Sequence, residues 1–330
     1  MTSYFDDKPI LVTGAGGFIG CALVESLVEN GAQVRTFLRY TSRAETGLLK
    51  TLPKAIRNNI ELVFGDLRDP DAVTKASEGI DLIFHLGALI SIPYSYVHPV
   101  EVVQSNVIGT LNVLQACRQH DCKLVHTSTS EVYGSAQYVP IDEDHPLQGQ
   151  SPYSASKIGA DKLVESFYCS FDVQAVTVRP FNTYGPGQSA RAVIPTIITQ
   201  ALAQDEIHLG NLDAKRDFTY VTDTARGFLK AAQTPGVVGE TFNLGCSDEI
   251  SIGELALLII DIIGRPVKIV VDQERLRPEN SEVTRLLSDN SKAKKFLGWA
   301  PQVGFREGLS RTIDWIREHM DWYRVGEYER

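Results

Sequence analysis

Pro9-Ile10-Leu11-Val12-Thr13-Gly14-Ala15-Gly16-Gly17-Phe18-Ile19-Gly20 is the stretch whose reading decides the fold. Residues 9–13 are a short apolar run that stops at a glycine, and from Phe18 to Val28 apolar residues recur at helical spacing. A strand, a glycine turn and a helix therefore follow one another. Gly14, Gly17 and Gly20 stand at G-x-x-G-x-x-G spacing across the junction. Glycine there permits unusual dihedrals and lets the backbone approach a pyrophosphate closely. The helix start adds free N–H groups and the positive end of a dipole. The unit predicts a dinucleotide site built on Gly14, Gly17, Phe18, Ile19 and Gly20. A tight turn with no ligand is the plainer alternative.

The same alternation continues outward. Strands are predicted at 33–38, 60–64, 81–86, 123–127 and 173–178, with helical patterns around 72–77, 100–120 and 154–170. Strands alternating with helices predict a Rossmann-like, doubly wound parallel sheet in the α/β class. Beyond Arg179-Pro180 the texture changes to short strands, Pro and Gly clusters and separate helices. The expected division is a dinucleotide-binding domain over 1–180, rejoined by about 221–250, and a smaller C-terminal α/β lobe over 181–220 and 251–330. The apolar run Leu255–Ile263 reads as a buried helix.

The chain has 330 residues, 43% of them hydrophobic and 22% charged, which suits a soluble globular protein of two domains or one large sheet with a lobe. A net charge of -9 argues against nucleic-acid partners. No apolar run approaches a bilayer span, and Met1–Lys8 lacks an apolar signal core, so a cytoplasmic protein without a membrane partner is expected. Five cysteines without a C-x-x-C pair read as reduced thiols. The seven histidines show no ligand spacing, so no metal is expected.

Two further stretches bear chemistry. Asp66, in Gly65-Asp66-Leu67 after the third strand, could accept from an adenine amino group or simply cap a helix. Thr127-Ser128-Thr129-Ser130-Glu131 is followed by Tyr153-Ser154-Ala155-Ser156-Lys157, and residues four apart share a helix face. An ammonium beside a phenol favours the phenolate, so Lys157 is expected to pull the Tyr153 pKa toward neutrality. Tyr153 would then serve as base for a substrate hydroxyl, with Thr129 bonding the same oxygen.

With His85-Leu86-Gly87-Ala88, Arg179-Pro180-Phe181-Asn182-Thr183-Tyr184-Gly185-Pro186 and Arg216-Asp217-Phe218-Thr219-Tyr220-Val221 added, nearly the whole chain resembles the extended short-chain dehydrogenases/reductases that act on nucleotide sugars. The resemblance implies a nicotinamide cofactor near Leu67, Leu86, Ala88, Tyr153 and Lys157. It also implies a nucleotide-sugar substrate near Ser91, Asn182 and Val193, with Arg216 and Arg277 on the diphosphate, as a planar guanidinium fork suits phosphate oxygens. Glu131 points to a 4,6-dehydratase, since a carboxylate can take the C5 proton, and Thr129, Ser130 and Glu131 complete the reactive set. Related dehydratases often carry Asp where Ser130 stands. The stretch through Ala190-Arg191-Ala192-Val193-Ile194-Pro195 is similar to legionaminic-acid-pathway dehydratases, which favours UDP-N-acetylglucosamine. A UDP-sugar 4-epimerase, a UDP-glucuronate decarboxylase and a dinucleotide-sensing scaffold without turnover remain as alternatives.

Two more expectations concern partners. NAD enzymes usually place an acid at the end of the second strand, whereas here stand Arg39 and Arg43, so NADP is favoured over NAD with both arginines on the 2′-phosphate. A homodimer is expected through the helices around 100–120 and 154–170. Val103, Val107, Leu111 and Leu114 lie on one side there, and Ile158, Leu163 and Phe167 on another.

Overall fold

The computed structural model describes residues 3–276 and 278–326. Seven parallel strands form its central sheet: β1 Pro9–Thr13, β2 Gln33–Arg39, β3 Ile60–Gly65, β4 Leu82–His85, β5 Lys123–Thr127, β6 Ala175–Pro180 and β7 Thr241–Leu244. Their order is β7-β6-β5-β4-β1-β2-β3. The strand order reverses between β1 and β4, and the crevice beyond the carboxyl ends of such a pair is where doubly wound sheets bind ligands. Thr13, the last residue of β1, lies opposite Phe37 of β2 and His85 of β4.

Helices cover both faces, so the inner strands are largely apolar, and β4 and β6 are buried at every residue, His85, Thr177 and Arg179 included. On one face Leu23, Val24 and Leu27 of the helix Phe18–Glu29 pack with Phe228 and Ala231 of the helix Val221–Gln233. On the other face the helices Pro70–Ala76, Gly109–His120 and Pro152–Phe171 supply Val73, Val113, Leu114, Val164 and Phe167. A second core lies under the C-terminal segments. There the helices Val193–Ala203, Ile252–Ile263 and Phe305–Glu318 bury Ile197, Leu255, Ile259, Leu309 and Ile313. Short strands join this region to the sheet, Asn182–Tyr184 pairing in parallel with Phe218–Tyr220.

Several elements depart from the sequence expectations. β6 begins at Ala175 rather than Val173, because the Val173 N–H bonds back to the Phe167 carbonyl and finishes the preceding helix. The pattern over 100–120 is interrupted: helix Pro99–Val103, a π turn Gln104–Ile108, then helix Gly109–His120. Asn106 in that turn accepts from Leu89 N–H, donates to Leu89 O and donates to Ser156 Oγ, contacts from distant sequence that an unbroken helix would misplace. The helix Ile252–Ile263 is buried on one side only, with Leu257 61% exposed. Leu114 and Phe167, expected among the apolar residues of a dimer interface, belong to the sheet core.

Candidate active site

A cleft of about 980 Å³ opens beyond the ends of β1 and β4 and runs under the C-terminal region. Its floor is the glycine turn. Gly14 has φ of +71°, and a Cβ there would lie 2.7 Å from Gly87 N. A Cβ on Gly20 would lie 2.2 Å from the Gly14 carbonyl. Gly17 caps the helix Phe18–Glu29 without a side chain, leaving the first N–H groups of that helix facing the cleft. This cradle fits a dinucleotide pyrophosphate. Gly14, Gly17, Phe18, Ile19, Gly20, Leu67, Leu86 and Ala88 all line it.

Charged groups gather where β2 and β3 end. Asp66 lines the cleft and accepts from Arg68 Nη2 at 2.6 Å and Nε at 3.0 Å, which holds its carboxyl below the usual range. Arg39 also lines the cleft and pairs with Glu101 at 3.4 Å, while Glu101 accepts from Tyr94 Oη at 2.5 Å. Arg43, expected beside Arg39, is exposed and outside the cleft wall, because the chain turns away through Thr41–Ala44.

Beyond β5 the reactive residues assemble. Thr129, Glu131 and Tyr153 line the cleft together. Thr129 Oγ1 accepts from Glu131 N–H at 3.2 Å and faces the Tyr153 hydroxyl, where it favours the phenolate. Ser130, placed by the sequence in the same set, is buried and does not line the cleft: the tight turn Ser130–Tyr133 brings its neighbours forward and sends it back. Ser151 and Ser154 form a capping box that starts the helix Pro152–Phe171, and this start sets Tyr153 at the wall.

Lys157 lies one turn behind Tyr153 and outside the cleft lining, its Nζ donating to the Thr127 carbonyl at 2.6 Å. Burial lowers its ammonium to about 8. The expected effect on Tyr153 is reversed: burial pushes the phenol up, and the charge of Glu131 pushes it further the same way. A buried hydroxyl without a second cation nearby stays protonated. Lowering it falls to the positive charge that an oxidised nicotinamide would bring.

Ser91, Asn182, Val193 and Arg216 line the far half of the cleft. Asn182 donates to the Asp217 carbonyl at 3.4 Å. Arg216 donates to the Lys215 carbonyl at 2.9 Å and meets Glu282 at 3.4 Å, so its carboxylate contact is a cleft residue. Asp217 instead accepts from Ser288 Oγ and the N–H groups of Cys246 and Ser247. Arg277 lies outside the described residues. Arg191, within the stretch already singled out, also lines this half, as do Gln188 and Arg275, which carried no clear signal in the sequence. Among the described residues, no cluster of His, Cys, Asp or Glu could hold a metal, and no helix is long and apolar enough to cross a membrane.

Residues 11–312 match the family model described as GDP-mannose 4,6 dehydratase. A putative UDP-glucose 4-epimerase of Methanocaldococcus jannaschii is 32% identical over 94% of this chain and 99% of its own length. The dTDP-glucose 4,6-dehydratase of Bacillus anthracis, solved in complex with NAD, superposes with a TM-score of 0.83 at 28% identity, covering 96% of this chain and 98% of that one. A UDP-N-acetylglucosamine 4-epimerase from Methanobrevibacter ruminantium, solved with UDP-N-acetylmuramic acid, gives 0.85 at 29% identity, covering 96% and 100%.

Proposed function

The chain belongs to the GDP-mannose 4,6-dehydratase family of extended short-chain dehydrogenases/reductases, which holds nucleotide-sugar dehydratases and epimerases, and we propose that it is a nucleotide-sugar 4,6-dehydratase. Glu131 carries this reading: it is a carboxylate in the cleft wall beside Thr129 and Tyr153. A 4-epimerase needs a proton acceptor at O4 but no base at C5. The relative from Methanocaldococcus jannaschii keeps the epimerase as the second reading.

A nicotinamide dinucleotide bound on the glycine cradle would supply a reversible hydride store. Tyr153 takes the O4 proton as C4 is oxidised, while Thr129 fixes the same oxygen. Lys157, from behind, keeps positive charge near the phenolate. The new C4 ketone acidifies C5, and Glu131 removes the C5 proton. The C6–O bond then breaks. Glu131 is the acid that lets the hydroxyl leave as water, since Ser130 stands outside the cleft. Asn182 and Arg216 hold the diphosphate, with Ser91 and Val193 beside the sugar. Return to C6 of the hydride taken from C4, with a proton regained at C5, would give a 4-keto-6-deoxy sugar nucleotide and leave the dinucleotide oxidised.

UDP-N-acetylglucosamine is the substrate we favour, supported by the uridine-linked amino sugar in the Methanobrevibacter ruminantium structure. For the cofactor we favour NADP, on the strength of Arg39 in the cleft wall, Arg43 standing outside it. Arg39 is 63% exposed, and a contact so wet is weak enough for a phosphate to displace Glu101 from it. Val97, Val100 and Val103, exposed on neighbouring helical turns, support a homodimer.

Glu131→Gln keeps volume and removes the base. A positioned general base contributes about 10²–10⁴-fold, so dehydration should fall by that order while dihydronicotinamide and 4-keto sugar build up. Tyr153→Phe should stop the reaction before any dihydronicotinamide absorbance appears. Undiminished dehydration by Glu131→Gln would overturn the dehydratase reading in favour of the epimerase.

A further inference from the structure

The helix Pro152–Phe171 places Tyr153, Lys157 and Asp161 at successive i, i+4 positions, so the three share one face. Asp161 has no place in the chemistry above, yet its side chain is only 6% exposed and both its oxygens are engaged. Oδ1 meets His126 Nε2 at 3.2 Å. Oδ2 accepts from Ser128 Oγ at 2.8 Å and from Arg179 Nε and Nη2 at 3.3 and 3.1 Å. His126 and Ser128 flank Thr127, whose carbonyl holds Lys157, and Ser128 precedes Thr129, which faces the Tyr153 hydroxyl.

Resting on Tyr153 and Lys157 as the reacting pair, we propose that Asp161 is a positioning residue: it clamps the end of β5 that serves both groups and keeps Lys157 charged. The clamp is geometric. One carboxylate pins the residues on either side of Thr127, and losing it strands buried donors on β5 and β6.

The charge effect follows from what surrounds Lys157. His85 faces it from β4, His126 from β5 and Tyr153 from its own helix, with Glu131 beyond Tyr153 and Arg179 of β6 behind Asp161. Burial keeps both histidines neutral at ordinary pH, and neither they nor Arg179 helps a cation. Asp161 is the group whose charge opposes the burial of Lys157. Without it the ammonium loses its proton at lower pH, and the Tyr153 phenolate loses its cationic neighbour in the neutral range.

The test needs no substrate. In the full chain with isotope-labelled lysine, the Lys157 ammonium can be titrated by NMR, its signal identified by its absence from Lys157→Met. The midpoint of about 8 should fall by about one pH unit in Asp161→Asn. The charged fraction at that pH then drops from about one half to about one tenth. Asp161→Glu should restore the midpoint to within a few tenths of a unit. Arg179→Gln removes the opposing cation and should move it upward. If turnover is present, the alkaline limb of dihydronicotinamide formation should follow the NMR midpoint in each variant. An unmoved midpoint in Asp161→Asn, even with stability lost, would reduce Asp161 to a structural role and overturn the proposal. Where Asp161→Asn does not fold, Arg179→Gln decides: an unchanged or lowered midpoint overturns it equally. The titration stands whether or not Glu131 proves to be the elimination base.

Discussion

At the scale of single residues, chemistry in this site is set less by residue type than by what lies within one atomic diameter. Gly20 is the sharpest case. An added methyl would meet the Gly14 carbonyl at 2.2 Å and the Ala15 Cα at 2.9 Å, both backbone atoms that cannot rotate aside. Gly20→Ala should therefore destabilise the fold by about 1–3 kcal/mol and weaken dinucleotide binding. Gly159, inside the helix Pro152–Phe171, meets nothing closer than Val107 Cγ2 at 3.5 Å. Gly159→Ala should instead gain about 0.5–1 kcal/mol from helix propensity. Urea midpoints of the two variants should move in opposite directions, and a shared direction would show that the turn is not sterically closed. The Tyr153 phenol makes the same point electrostatically. Its spacing from Lys157 was legible, but its burial was not, and burial decides the direction of its shift.

At the scale of elements, periodicity located the helices, and long-range contacts decided where they break. No local signal marks the π turn Gln104–Ile108, because Asn106 is held by Leu89 and Ser156, 17 and 50 residues away. The break also separates two fates along one apolar pattern. Leu114 joins the sheet core, while Val97, Val100 and Val103 remain 65%, 68% and 44% exposed. If that face meets a second copy, Val100→Glu with Val103→Glu should convert a dimer into a monomer in sedimentation velocity. The unaltered chain sedimenting as a monomer at micromolar concentration would remove the dimer from the picture.

At the scale of the whole molecule, the sheet buries histidines that only an unfolded chain can protonate freely. His85 sits between Thr13 and Thr110, and His126 beside Asp161. Burial lowers both pKa values below the ordinary 6.5, that of His85 well below. Above about 6.5 neither state binds the proton, and the two histidines do not penalise folding. As pH falls through 6.5 toward the folded values, the unfolded state gains protons first and stability is lost. That loss should appear between pH 7 and pH 5, read from urea midpoints. Replacing both histidines by Gln should flatten that dependence, and an equally steep loss in the double variant would assign it to other groups. Sequence by itself determined the strand–glycine–helix opening, the parallel sheet and the cleft residues Thr129, Glu131 and Tyr153. The opening and the sheet follow from local sterics and from periodicities of two and 3.6 residues, which short stretches carry complete, and the cleft residues from motif spacing together with the family resemblance. Tertiary structure alone decided that Ser130 and Arg43 stand outside the cleft, that Glu101 meets Arg39 and Glu282 meets Arg216, and that Asp161 lies beneath the reacting pair. Burial and charge act through space between segments distant in sequence, so no reading along the chain can weigh them.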